Sequence, residues 1–224
     1  MADEAVSLSA SDVLGLGGNW IPQNSQISTD FSYAEMLKSN GDYQKWSDTF
    51  DEIATVNIPY RFNADAGLGA GLPNIGSIHN GYHIDGYTID TTHNEYPMVT
   101  FSAHQHGVNP HIDDRVEYAL PAGLIALALG SLGAYDWAGL AADEVCGQSS
   151  TLTMSLNHID ENCDSDHWTG QNVQGVVECT VNYIGNITSF TVAGYTVTNY
   201  TINDSNEAFD TSSITFSDYL TRVA

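Results

Sequence analysis

From Ala54 to Leu220 the apolar residues recur mainly at every second position, the spacing of strands that turn one face to a core. Ala54 to Phe62 places Val56, Ile58, Tyr60 and Phe62 on one face, and Thr151 to Ile159 does the same with Leu152, Met154 and Leu156. Gly175 to Ile184 aligns Val177, Cys179, Val181 and Tyr183, which makes Cys179 a core residue. Thr188 to Ile202 is rich in Thr, Val and Tyr, the residues that fit a pleated surface. Further strands are predicted at Ile78 to Ile89, interrupted by Gly81 and Gly86, at Pro97 to His106 and at Ser213 to Leu220.

One segment breaks the period. Ala119 to Leu132 is an apolar run with Leu120, Leu124, Ile125, Leu127, Leu129 and Leu132. A membrane-spanning helix needs about 20 apolar residues, and this run is shorter and broken by glycine. It predicts a buried helix near Pro121 to Ala142, with Pro121 suited to the first turn and a break allowed at Gly130 to Gly133. The fold class expected is mainly β (α+β): an antiparallel β-sandwich or barrel with one packed helix and an extended N-terminal arm.

Residues 1–53 form that arm and residues 54–224 the domain. Asp30 to Ile53 mixes Tyr33, Met36, Leu37, Tyr43, Trp46 and Phe50 at roughly helical spacing without a clean stripe. An arm so aromatic is costly to leave in water, so it is expected to pack on its own domain or on a neighbouring subunit. Asp65 to Asn74 carries Gly67, Gly69, Gly71 and Pro73 and reads as a long loop. The strand and helix that must flank a dinucleotide fingerprint are missing there.

Charge narrows the function classes. The 224 residues hold 28 Asp and Glu against 5 Lys and Arg, a formal net charge of -23. The carboxylates are scattered in ones and twos, which is unlike an acidic tail, and the hydrophobic share of 42% is enough for a core. Such a chain repels nucleic acid and anionic lipid, so neither sequence-specific nucleic-acid binding nor membrane binding is expected. Met1 to Ser11 carries Asp3 and Glu4 where an export signal carries Lys or Arg, so synthesis in the cytoplasm is expected. Cys146, Cys163 and Cys179 are odd in number and lack a C-x-x-C pair, which gives no disulfide framework.

The histidines are the main candidates for chemistry. His104 and His106 stand two apart on a predicted strand and so share a face, with His111 close behind. A cupin-like β-barrel presents metal ligands in this way, but it adds a Glu after the second His, and Gly107 to Pro110 contains none. Imidazoles making ordinary hydrogen bonds on a half-exposed strand are the simpler reading. His158, Asp160, Cys163, Asp164, Asp166 and His167 form a second group, whose spacing matches neither a zinc nor a calcium pattern. A solvated loop is expected there. No G-x-S-x-G, H-E-x-x-H or Walker loop occurs, so no enzyme is indicated and no cofactor is implied. A carbohydrate-active or adhesive domain would expose tryptophans such as Trp137 or Trp168 in a groove, whereas tryptophans more often lie in the core.

The layout from Ala54 to the strand S-S-I-T-F-S-D-Y-L at Ser212 to Leu220, with one helix, a glycine-rich loop and an aromatic arm, resembles bacteriophage virion proteins, most closely the tail-tube class. The resemblance rests on pattern and composition and transfers no functional residue. It implies a self-assembling structural subunit located in the virion, with copies of itself in rings or tubes and other virion proteins as partners. It also gives the charge a use, since a lumen lined with carboxylates lets DNA pass without sticking. Rings of subunits at -23 each repel, so salt or divalent ions are expected to promote assembly.

Overall fold

The period-two segments form strands. The computed structural model describes residues 13–16, 20–23, 26–32, 35–37, 43–46, 51–62, 72–92, 95–106, 112–113, 116–129, 146–164, 167–185, 195–204 and 206–223. In chain order the strands are β1 (Trp20–Pro22), β2 (Gln26–Ser32), β3 (Glu35–Leu37), β4 (Tyr43–Trp46), β5 (Asp51–Phe62), β6 (Ile78–His79), β7 (Tyr82–Thr92), β8 (Met98–His106) and β9 (Ile112–Asp113). Helix α1 (Ala122–Leu129) follows, then β10 (Cys146–Asp164), β11 (His167–Ile184), β12 (Thr196–Asn203) and β13 (Thr211–Tyr219). The protein is thus mainly antiparallel β with a single short helix among the described residues. That helix falls within the predicted span, of which residues 130–142 lie outside the described residues.

One sheet runs in the order β1-β5-β8-β7-β10-β11-β13-β12, with β2 beside β5, β6 beside β7 and β9 beside β11, while β3 and β4 pair separately. Among the described residues every pairing is antiparallel except that of β9 with β11. Part of the predicted arm is therefore sheet: β1 and β2 both lie against β5. Where it is described, the segment from Asp30 to Ile53 gives strands rather than helix, because a pattern without a clean stripe gives a helix no single face to bury.

The register assembles the core row by row. One row crosses from Tyr60 through Val99, Ile89, Leu152, Cys179 and Phe216 to Val197. All but Val197, which is partly buried, are shielded from solvent. A neighbouring row joins Ile58, Phe101, Tyr87, Met154 and Val177, and Phe101 packs against Tyr60 and Tyr87 with ring centroids 5.5 and 5.1 Å apart. Helix α1 lies over β7, β10 and β11 with Leu124, Ile125 and Ala128 buried. Ser150 Oγ donates to the Ala128 carbonyl at 2.6 Å, which satisfies an acceptor at the helix end that has no partner within the helix.

Two glycines carry geometry here. Asn80 and Gly81, with φ of 50° and 84°, form the two-residue turn between β6 and β7 that left-handed conformers favour. Gly86 follows a bulge where the register slips between Ile84 and Gly86, and a Cβ there would collide with the Met154 carbonyl oxygen. The two interruptions read in the Ile78 to Ile89 segment are a turn and a bulge, both inside the sheet.

Candidate functional site

The longest hairpin outgrows its sheet. β10 and β11 pair from Cys146 opposite Ile184 to Asp164 opposite His167. Their neighbours cover only the base: β7 reaches Ser149 to Ser155, and β13 reaches Val176 to Ile184. From the Leu156–Gly175 pair outward, β9 is the one flanking strand among the described residues, touching Thr169 and Gly170. At about 3.4 Å per residue the projecting ribbon is roughly 25 Å long. Its base is pinned where Leu220 crosses Gly175: the Leu220 amide donates to the Gly175 carbonyl at 2.9 Å, and a Cβ on Gly175 would lie 2.9 Å from the Leu220 side chain.

This ribbon replaces the loop expected at His158 to His167. The alternation Leu152, Met154, Leu156 stops at the ribbon base, and beyond it both faces read polar, so no period marks the strands. The backbone ladder carries the chain outward through His158, Asp160, Cys163, Asp164 and His167.

On the side of the sheet away from α1, the register lines up hydroxyls and amides. One row crosses Ile21, Arg61, Met98, Asp90, Thr151, Thr180, Thr215 and Asn199. The next crosses Pro59, Thr100, Thr88, Thr153, Glu178, Ser217 and Thr196, and a third joins Gln26, Asn57, Ser102, Gly86, Ser155, Val176 and Tyr219. Neighbours bond sideways: Thr180 Oγ1 to Thr215 Oγ1 at 3.0 Å, Thr198 Oγ1 to Ser217 Oγ at 3.1 Å, Asn182 Nδ2 to Ser149 Oγ at 3.0 Å, and Thr151 Oγ1 to Asp90 at 2.8 Å. Across these three rows only Asp90 and Glu178 are acidic and only Arg61 is basic. Sequence reading assigned the strands but not this face, since rows appear only once strand order and register are known.

His104 sits at the far end of the same side, buried rather than half-exposed, opposite His83 on β7. Its Nδ1 lies 2.7 Å from Asp85 Oδ2 and 2.8 Å from Oδ1, so the carboxylate fixes the ring. The His83 and His104 rings stack at 5.4 Å with 23° between planes. Lone pairs lie in the ring planes, and planes so nearly parallel do not converge on one ion, so these two imidazoles do not chelate a metal together in this arrangement. His106 follows on β8 opposite Ile53 with its side chain outside the described set, and His111 lies outside the described residues. Among the described residues no group of three or more His, Cys, Asp or Glu is arranged to hold a metal ion.

Burial marks the titratable core groups. It pushes the Cys179 thiol up to about 12 and moves the Tyr87 and Tyr183 hydroxyls upward as well, with the neighbouring Cys179 adding to the shift of Tyr183. A thiol held protonated in this way is a packing group and a poor nucleophile.

No protein-family model matches the chain, and no curated protein matches it. Among the described residues no helix is long and apolar enough to cross a membrane.

Proposed function

We propose that the chain is a self-assembling structural subunit of a virion, of the bacteriophage tail-tube kind, with an acidic surface that conducts DNA. The projecting β10–β11 ribbon carries this reading. A two-stranded hairpin alone is marginally stable in water and gains stability when another strand or surface covers it. A neighbouring copy supplies that cover, and the ribbon then acts as the tie between subunits.

The edge strand β12 points the same way. It carries neither charge nor proline in a chain of net charge -23, whereas exposed edges are commonly blocked by such residues. The acidity suits passage of DNA, because carboxylates repel phosphates and form none of the salt-dependent contacts that lysines make. The same charge opposes assembly until salt or bound cations screen it.

The test is negative-stain electron microscopy of the purified chain at low and high salt, together with a variant in which an Asn-Gly turn replaces residues 158–172. Rings or tubes from the parent and none from the shortened chain support the reading. Rings from both chains remove the ribbon from it.

A metal-binding cupin-like barrel is the second reading, favoured by one contact: Asp85 orients His104 as a carboxylate orients a ligating imidazole. In it His104 and His106, with His111, hold a transition metal. About one metal ion per purified chain, lost on His106→Ala, supports it, and metal-free protein rules it out.

A further inference from the structure

We infer, resting on the assembly reading, that the hydroxyl face opposite α1 is the surface on which a second copy of this chain seats. Two copies at -23 each meet most easily where charge is least. The three rows hold Asp90, Glu178 and Arg61 as their only charged residues, so this face carries little of the charge that the described strands bear.

Desolvation points the same way. Buried hydroxyls without partners are penalised, whereas Thr180 with Thr215, Asn182 with Ser149 and Thr198 with Ser217 already bond to each other across strands. The threonine methyls between them supply apolar contact. The six strands that all three rows share, at about 4.8 Å each, by three rows of about 6.8 Å give roughly 590 Å², most of the roughly 800 Å² per partner of a stable protein contact. A glycan is the other natural occupant of a hydroxylated face, but the three rows offer only Tyr219 as an aromatic platform, so a copy of the chain fits better.

The experiment uses charge of the opposite sign. Asn182→Lys and Asn57→Lys stand on the face away from Asp90 and Glu178, both at exposed strand positions where the fold tolerates a long side chain. Ala208→Lys is an exposed control off the face. Any lysine lowers the net repulsion between copies, so Ala208→Lys assembles at the parent concentration or below it. On a packed face the same lysine is buried without a partner, and the concentration for half assembly, read by sedimentation velocity, rises about tenfold or more. Face variants that assemble as readily as the control overturn the inference and leave the assembly reading standing. A parent chain that stays monomeric at every salt concentration overturns both. Assembly unchanged by the face lysines, with polysaccharide retention lost, reassigns the face to carbohydrate and also overturns the inference.

Discussion

Phe101 and Ser102 are adjacent on β8 and face opposite sides of the sheet, so a pair of alanine substitutions reads the register directly. Phe101 is fully buried between Tyr60 and Tyr87, and its ring meets both at edge-on or tilted angles of 84° and 50°. Truncation to alanine removes a phenyl group and leaves a void lined by Tyr60, Tyr87 and their neighbours, a loss of about 3–5 kcal/mol. Phe101→Leu keeps most of the volume and loses the two ring pairs, about 0.5–1.5 kcal/mol each. For a chain of this size each kcal/mol moves the melting temperature by about 2–4 °C. Differential scanning calorimetry should therefore show Phe101→Ala melting about 6–20 °C below the parent and Phe101→Leu clearly above Phe101→Ala. Ser102→Ala, on the exposed face, should stay within about 0.5 kcal/mol. A one-residue slip sends every side chain of a strand to the other face. If Ser102→Ala proves the more damaging of the two, the register of β8, and with it the core rows, is wrong.

Three further outcomes follow from the same packing. Gly86→Ala places a Cβ against the Met154 carbonyl oxygen, backbone that cannot swing aside, and should lower stability well beyond the roughly 1 kcal/mol that separates strand residues by propensity, read from urea midpoints. Alkali should unfold the protein progressively. Cys179 ionises near 9.0 when free and at about 12 when buried, so between those values the folded state holds the extra proton and stability falls as pH rises. Cys179→Val should flatten the part of that fall between about pH 9 and 10, before the buried tyrosines join, and an unchanged slope would show that Cys179 is not buried. The chain shortened at the ribbon should still unfold in one cooperative transition by calorimetry, because β7 and β13 cover only the base that it retains.

Much of the sheet is legible in the sequence because one of its faces is buried. Val177, Cys179, Val181 and Tyr183 announce their strand and its inward face, and Val56, Ile58 and Tyr60 do the same, since burial on one side imposes a period of two. The ribbon is illegible for the converse reason: past Leu156 the sequence turns mostly polar, and a backbone ladder between polar residues leaves no trace in hydropathy. The hydroxyl rows stay hidden until register is known, because Thr153, Thr88 and Thr100 are far apart in the chain and become neighbours only through pairing. At the histidines, spacing proposed His104 with His106, whereas the contacts described tie His104 to Asp85 and His83, which strand order brings from β7. The bulge at Gly86 that accompanies this contact is visible in the sequence only as an interrupting glycine.

Electron microscopy of the purified chain at low and high salt, with metal analysis of the same sample, tests the central claim most directly. The account predicts rings or tubes that grow as salt screens the -23 charge of each subunit, without stoichiometric metal. A monodisperse monomer at every salt concentration, carrying about one transition metal ion per chain, would contradict it and turn attention to His104, His106 and His111.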